Sequence, residues 1–311
     1  MNSTIGYESL LPAAASITVS LTNLDVVTGS STDNLFTANL SESCRLKFTG
    51  AGTTTAAQIT LTVGTALTNV GMIGILGHTL RPTSTITPQF RGELLNSGVT
   101  QWDNDTPGVT GAYDTYSDCG DYVSQQWIRT CFKSTFATTG TQRYTANAIR
   151  FYIKGMPTNT EFEIGRLWVS RALTFRAGVP YEPDSMGYDD PSVLEVSNGR
   201  QVYAQERAMG RVQNVSLTAM LTDEVWPSGG RVDYLDRVLA HSGRVRPIVF
   251  MPDANPTRVD SYQRAIYGHL QSLRYGPVNY TQQGAIPLHA ADSPAAGQKV
   301  FAFRSSVLEA R

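Results

Sequence analysis

Residues 13–90 repeat one pattern that limits the possible folds more than any other feature of the chain. Short segments with alternating apolar and polar residues are separated by clusters of Gly, Asn and Ser. Ile17-Thr18-Val19-Ser20-Leu21, Arg45-Leu46-Lys47-Phe48 and Gln58-Ile59-Thr60-Leu61-Thr62-Val63 are three of them. Successive side chains of a strand point to opposite faces, so a period of two predicts strands buried on one side. The segment from Val70 to Gly77 is instead continuously apolar or small, which predicts a strand buried on both faces. Strand pattern returns at 126–129, 147–153 and 161–169, and then at 199–209, 211–221, 246–251, 262–273 and 299–308. The chain is therefore expected to be mainly β.

Composition agrees. Charged residues make up 16% of the 311, against about 25% in an ordinary globular protein. Thr, Ser, Gly and Asn fill the gap, and these suit pleated surfaces and turns. The length suggests about two domains of ~100–200 residues each. Residues 176–192 hold Gly178, Pro180, Pro183, Gly187 and Pro191 among Asp184, Asp189 and Asp190, which marks the expected boundary. After it, Val232, Leu235, Val238 and Leu239 lie on one face of a predicted helix at about 231–241. Asp233 is expected in its first turn and Gly243 as its C-cap.

The formal net charge of −1 gives no global basic field for nucleic acid or anionic lipid. Lys47, Lys133, Lys154 and Lys299 are the only lysines. The preference for Arg fits either protein interfaces or a GC-rich coding sequence. Cys44, Cys119 and Cys131 form no CxxC pair and suggest neither a disulfide framework nor a zinc site. The first ten residues lack the form of a signal peptide, and no apolar run approaches the ~18–20 residues of a membrane span. The expectation is synthesis in a cytoplasm, without signal-peptide export.

Catalytic signatures are missing. The sequence contains no Gly-x-Ser-x-Gly elbow, no Gly-x-Gly-x-x-Gly and no P-loop. His78, His241, His269 and His289 pair with neither His nor Cys at ligand spacing; His78 reads as a hydrogen-bonded structural residue. The chain is not expected to be an enzyme or to need a cofactor or metal. One cluster holds chemical interest: Asp103, Asp105, Asp114, Asp118 and Asp121 lie near Trp102, Tyr113, Tyr116, Tyr122 and Trp127. Acidic groups beside aromatic faces fit a sugar-binding cleft, a solvated interface loop, an incomplete calcium loop or a glycosidase carboxylate pair. Trp102, Asp103, Asp105, Tyr113, Tyr116 and Trp127 are the candidate carbohydrate or interface contacts.

Two stretches carry a resemblance. Ile73-Gly74-Ile75-Leu76-Gly77-His78-Thr79-Leu80 resembles the core strand of galactose-binding-like jelly-roll domains in tailed-phage tail proteins. Ile149–Ile153 and Glu163–Val169, followed by Phe175, Pro180 and Tyr181, resemble their closing strands. The C-terminal part, with Tyr267-Gly268-His269-Leu270, is more weakly similar to tail-tube-like domains. The resemblance implies an N-terminal arm or first strands (1–40), a jelly-roll sandwich (41–185), a linker (186–198) and a tail-tube-like β domain with one helix (199–311). It further implies a structural tail, tail-tip or baseplate protein. Such a protein is assembled in the host cytoplasm and located in the virion, as a trimeric or hexameric ring contacting other tail proteins. Arg166, Trp168, Tyr203 and Trp226 would be the first interface anchors to test. The alternative is a virion module that binds host-surface carbohydrate.

Overall fold

The computed structural model describes residues 3–11, 16–83, 85–86, 88–103, 117–118, 126–131, 143–175, 186–189, 192–196, 202–205, 210–227, 232–252, 265–278 and 300–309. Its strands in chain order begin with β1 (Thr4–Ser9), β2 (Ile17–Thr22), β3 (Leu24–Val26), β4 (Cys44–Phe48), β5 (Ala57–Val70), β6 (Met72–Leu76) and β7 (Gln89–Asn96). They continue with β8 (Val99–Asp103), β9 (Ser117–Asp118), β10 (Gln126–Thr130), β11 (Tyr144–Lys154), β12 (Glu161–Ile164), β13 (Arg166–Thr174), β14 (Met186–Asp189) and β15 (Val193–Val196). The last are β16 (Val202–Gln205), β17 (Gly210–Leu221), β18 (Ile248–Met251), β19 (Ile266–Leu270), β20 (Tyr275–Val278) and β21 (Val300–Glu309). Two helices, α1 (Thr222–Val225) and α2 (Leu235–Ser242), lie between β17 and β18.

The expected mainly-β fold is present. Strands β2-β5-β11-β7-β8 form one antiparallel sheet, with β9 added beside β7. It faces the β10-β6-β13 end of a ten-stranded sheet, and Ile59, Leu61, Phe90, Ile149 and Phe151 meet Ile73, Ile75, Leu167 and Val169 between them. The chain crosses from sheet to sheet at β5–β6, β6–β7 and β11–β13, the interleaving of a jelly-roll sandwich. A three-stranded sheet, β12-β4-β3, closes one side with Leu46, Phe48, Phe162 and Ile164. As its sequence predicts, β6 is buried throughout.

Three sequence expectations change in detail. The run 161–169 is not one strand. At Gly165 it passes from the three-stranded to the ten-stranded sheet, where a Cβ would lie 2.8 Å from the Leu40 carbonyl oxygen. Among the described residues, the strands expected at 199–209 and 211–221 do not pair with each other: β16 pairs with β15, whereas β17 pairs with β14 and β21. Strands β14 and β15 thus occupy the expected linker. The helix starts at Leu235, so Asp233 precedes it instead of lying in its first turn. Its end agrees with expectation: Gly243 has φ 54° and donates its N–H to the Leu239 carbonyl at 2.9 Å.

The ten-stranded sheet takes in strands from both sides of the boundary expected near 176–192. Strand β1 lies between β13 and β18, pairing Ile5 with Leu173 on one side and Phe250 on the other. Ile5, Tyr7, Leu173, Ile248, Phe250 and Ile266 form one apolar face, which α2 covers with Leu235, Val238 and Leu239. Met72, Leu76, Trp168, Val249, Met251 and Tyr267 form a cluster on the opposite face. Of the two forms expected for residues 1–40, an arm or first strands, β1 has the second, as an interior strand.

A charged network closes this junction. The Tyr7 hydroxyl donates to Asp233 Oδ1 at 2.5 Å, and Arg171 Nη1 donates to the same oxygen at 3.4 Å. Arg143 Nε lies 3.5 Å from Asp233 Oδ2, and Arg171 Nε lies 3.1 Å from Glu8 Oε2; both are charge contacts rather than aligned hydrogen bonds. Burial, reinforced by Asp233, pushes the Tyr7 phenol far above its ordinary range, so it remains a donor. A buried ion network adds little net stability when complete, but removing one partner leaves a desolvated charge unsatisfied. Tyr7→Phe is therefore expected to lower unfolding free energy by about 1–3 kcal/mol. Urea unfolding monitored by circular dichroism checks this; an unchanged midpoint contradicts it.

Candidate functional site

Strands β7 and β8 are joined by a two-residue turn. Ser97 (φ 51°) and Gly98 (φ 79°) both take positive φ, as a type I′ hairpin requires. The turn pairs Asn96 with Val99 and Leu95 with Thr100, and a register shift just beyond them places Leu94 opposite Trp102 and Glu93 opposite Asp103. Alternation then sends Phe90 and Leu94 into the core and Glu93 to the outer face of the six-stranded sheet. On the neighbouring β11, Ile149, Phe151 and Ile153 likewise face inward, leaving Arg150 and Tyr152 beside Glu93.

Glu93 is 5% exposed. Its Oε1 accepts from the Thr100 hydroxyl at 2.6 Å, while Oε2 accepts from Tyr152 at 2.8 Å and Arg150 Nη1 at 3.2 Å. Burial alone would raise its carboxyl pKa. The hydrogen bonds from Thr100, Tyr152 and Arg150 outweigh that and hold it below the ordinary range. The Arg91 guanidinium lies 4.8 Å above the Tyr152 ring. On β5, opposite Arg150 and Tyr152, Gln58 donates to Thr60 at 2.6 Å. The result is a patch of positioned polar groups and one aromatic ring anchored on a buried carboxylate. Thr100 and Tyr152 donate their hydroxyl hydrogens to Glu93 and turn only acceptor lone pairs outward, while Arg150 keeps further N–H donors. The patch has the means to bind and orient a polar ligand.

The residues singled out from sequence lie elsewhere. Trp102 and Trp127 are core residues, 1% and 0% exposed, and Trp127 packs on Phe90 with centroids 5.9 Å apart. Neither indole presents a face to a ligand, because both strands turn these positions into the sandwich; their assignment as contact residues is corrected. Asp103 closes β8, its backbone opposite Glu93, and Asp118 pairs through its backbone with Gln89. Asp105, Tyr113, Tyr116, Asp114, Asp121 and Tyr122 lie outside the described residues. Glu93, Arg150 and Tyr152 were missed. The polar members of Ile149-Arg150-Phe151-Tyr152-Ile153 were the available signal, since they must share a face. Of the proposed anchors, Arg166 and Trp168 are buried and Trp226 is exposed.

No family model matches the chain, and no curated protein does. Solved structures do resemble it over about half its length. The family 32 carbohydrate-binding module of C. perfringens NanJ, solved with galactose, is 15% identical, covers 53% of this chain and 98% of its own, and superposes with a TM-score of 0.33. The lectin domain of lectinolysin, solved with Lewis b antigen, is 12% identical over 50% of this chain and 92% of its own, TM-score 0.33. The family 32 module of AlyQ, solved with 4,5-unsaturated mannuronic acid, is 15% identical over 53% and 96%, TM-score 0.30.

His78 follows the buried strand β6 and is 2% exposed. Its ring lies 5.1 Å from Phe90, and neither nitrogen makes a well-formed hydrogen bond; the Leu80 backbone offers only a partial one. The residue is structural, but it is not the hydrogen-bonded histidine expected from sequence. Burial, with Arg81 nearby, lowers its pKa to about 4. A folded value below the unfolded value of about 6.5 means the unfolded chain binds the proton more readily. Stability from neutral His78 is complete above pH ~6.5 and falls away as pH drops toward 4, by roughly 3 kcal/mol in all. His78→Leu is expected to remove this acid sensitivity. Denaturant melts of both proteins across pH 4–7 check it: a difference between them that does not change with pH contradicts it.

Proposed function

We propose that this chain is a non-catalytic β protein that binds carbohydrate on the outer face of its jelly-roll sandwich. The observation that carries the reading is the patch around Glu93. Sugar recognition calls for polar groups held in fixed directions beside an aromatic surface. Here the buried carboxylate orients Arg150, Tyr152 and Thr100 before any ligand arrives, which reduces the ordering cost of binding. A handful of hydrogen bonds at about 0.5–1.5 kcal/mol each, against an association cost of at least ~4 kcal/mol, favours weak binding of a single sugar ring. A Kd of roughly millimolar to micromolar is expected.

Galactose, Lewis b and unsaturated mannuronic acid, the ligands held by the structural neighbours, are rational first probes. Saturable chemical-shift changes are expected in β5, β7 and β11 with at least one glycan of a broad panel. The double variant Gln58→Ala/Arg150→Gln should weaken them about tenfold, equivalent to ~1.4 kcal/mol. A complete panel without saturable binding would sink the proposal.

A second reading, a ring-forming subunit of a tailed-phage tail that contacts other tail proteins, is favoured by one feature. The ten-stranded sheet joins both halves of the chain and so supplies a stiff building block. On this reading, light scattering of the purified protein gives three or six copies; a monomer at all concentrations speaks against it.

A further inference from the structure

A different surface, on the half of the chain beyond the sandwich, has the chemistry of a ligand site. Three of the four tryptophans, Trp102, Trp127 and Trp168, are buried, whereas Trp226 is 40% exposed. Its position follows from local structure. The single turn of α1 ends when the Trp226 N–H bonds the Thr222 carbonyl at 2.9 Å, and the backbone then becomes extended (φ −119°, ψ 156°). The indole meets the Tyr275 ring nearly perpendicularly, with centroids 5.6 Å apart and an interplanar angle of 67°. The Tyr275 hydroxyl donates to Asp236 Oδ1 at 2.9 Å in the first turn of α2. Burial, and then the hydrogen bond to Asp236, push this phenol up to about 12, so it stays protonated as the donor. Tyr275 packs against the α2 core, and this ties the aromatic pair to a rigid base. Asp236 Oδ2 has no protein partner among the described residues.

We propose that Trp226, Tyr275 and Asp236 form a binding site for a pyranose sugar, separate from the Glu93 patch. The indole supplies the apolar surface on which the C–H face of a sugar ring stacks, and the free oxygen of Asp236 accepts from a ring hydroxyl. Size argues against a protein partner. Specific protein interfaces bury on the order of 800 Å² per partner around clustered anchors. The other large exposed apolar residues described, Val26, Val99 and Val245, lie on separate elements, and Val245 follows the opposite end of α2 from Asp236. One ring beside one carboxylate matches a single sugar unit.

Tryptophan emission tests this directly, because the exposed indole dominates any ligand response or collisional quenching. The intact chain is titrated with the methyl pyranosides of galactose, glucose and mannose into the millimolar range. The expected result is a saturable emission change and protection from acrylamide with at least one of them. Trp226→Ala should abolish the response and Asp236→Asn should weaken binding about tenfold, while Trp226→Phe retains part of the affinity when followed by calorimetry. Gln58→Ala/Arg150→Gln should leave the emission change intact, so failure of the sandwich-face reading and failure here are told apart. No saturable response from the wild type with any of the three overturns the proposal. So does binding undiminished in Trp226→Ala, or protection by a protein partner with no sugar response.

Discussion

The position of β1 is the constraint on which the rest of the structure depends. Six residues from the beginning of the chain supply the hydrogen-bonding edge that both β13 and β18 need. Without them two long edges would lie open at the centre of the molecule, each with unpaired N–H and C=O groups. The strand also carries Tyr7 and Glu8 into the ion network with Arg143, Arg171, Asp233 and Arg237. Backbone pairing and charge pairing thus converge on one junction. Gly6 reflects the crowding, since a Cβ there would lie 2.4 Å from Met72 Sδ.

What was legible in the sequence was local. A period of two gave β2 and β4 nearly to their ends and part of β5 and β11, whose strands run on to Val70 and back to Tyr144, and the unbroken apolar run gave the doubly buried β6. Gly243 gave the helix end because a positive φ there has a simple chemical signature. Partners were not legible: periodicity says which face of a strand is buried but not which strand lies beside it. Hence the pairing of β1 with β18 and the pairing of β15 with β16 had no precursor in the sequence. Gly165 was ambiguous for the same reason, since its role depends on Leu40, more than a hundred positions earlier.

The candidate sites show a second limit of pattern reading. Acidic residues near Trp and Tyr suggested a wet aromatic loop, yet Trp127 and Ile128 are both buried because β10 is covered on its two faces. Glu93 looked ordinary because its partners come from Thr100, across a hairpin, and from Arg150 and Tyr152 on another strand. Its chemistry arises from register. A carboxylate that receives three donors fixes the direction of each. The aromatic pair of Trp226 and Tyr275 is likewise assembled from distant segments, by the packing of β20 beside α2.

The placement of β1 also has a consequence during synthesis. This strand is synthesised long before its second neighbour, Ile248–Met251, which follows most of the other strands in chain order. At typical elongation rates of ~5–20 residues per second, the wait is on the order of ten seconds or more. Throughout that interval an apolar segment has no complete seat. A nascent chain of this topology is exposed to exchanging its leading strand with a neighbouring copy on the same message, and faithful folding depends on the late-made strands arriving before that exchange does.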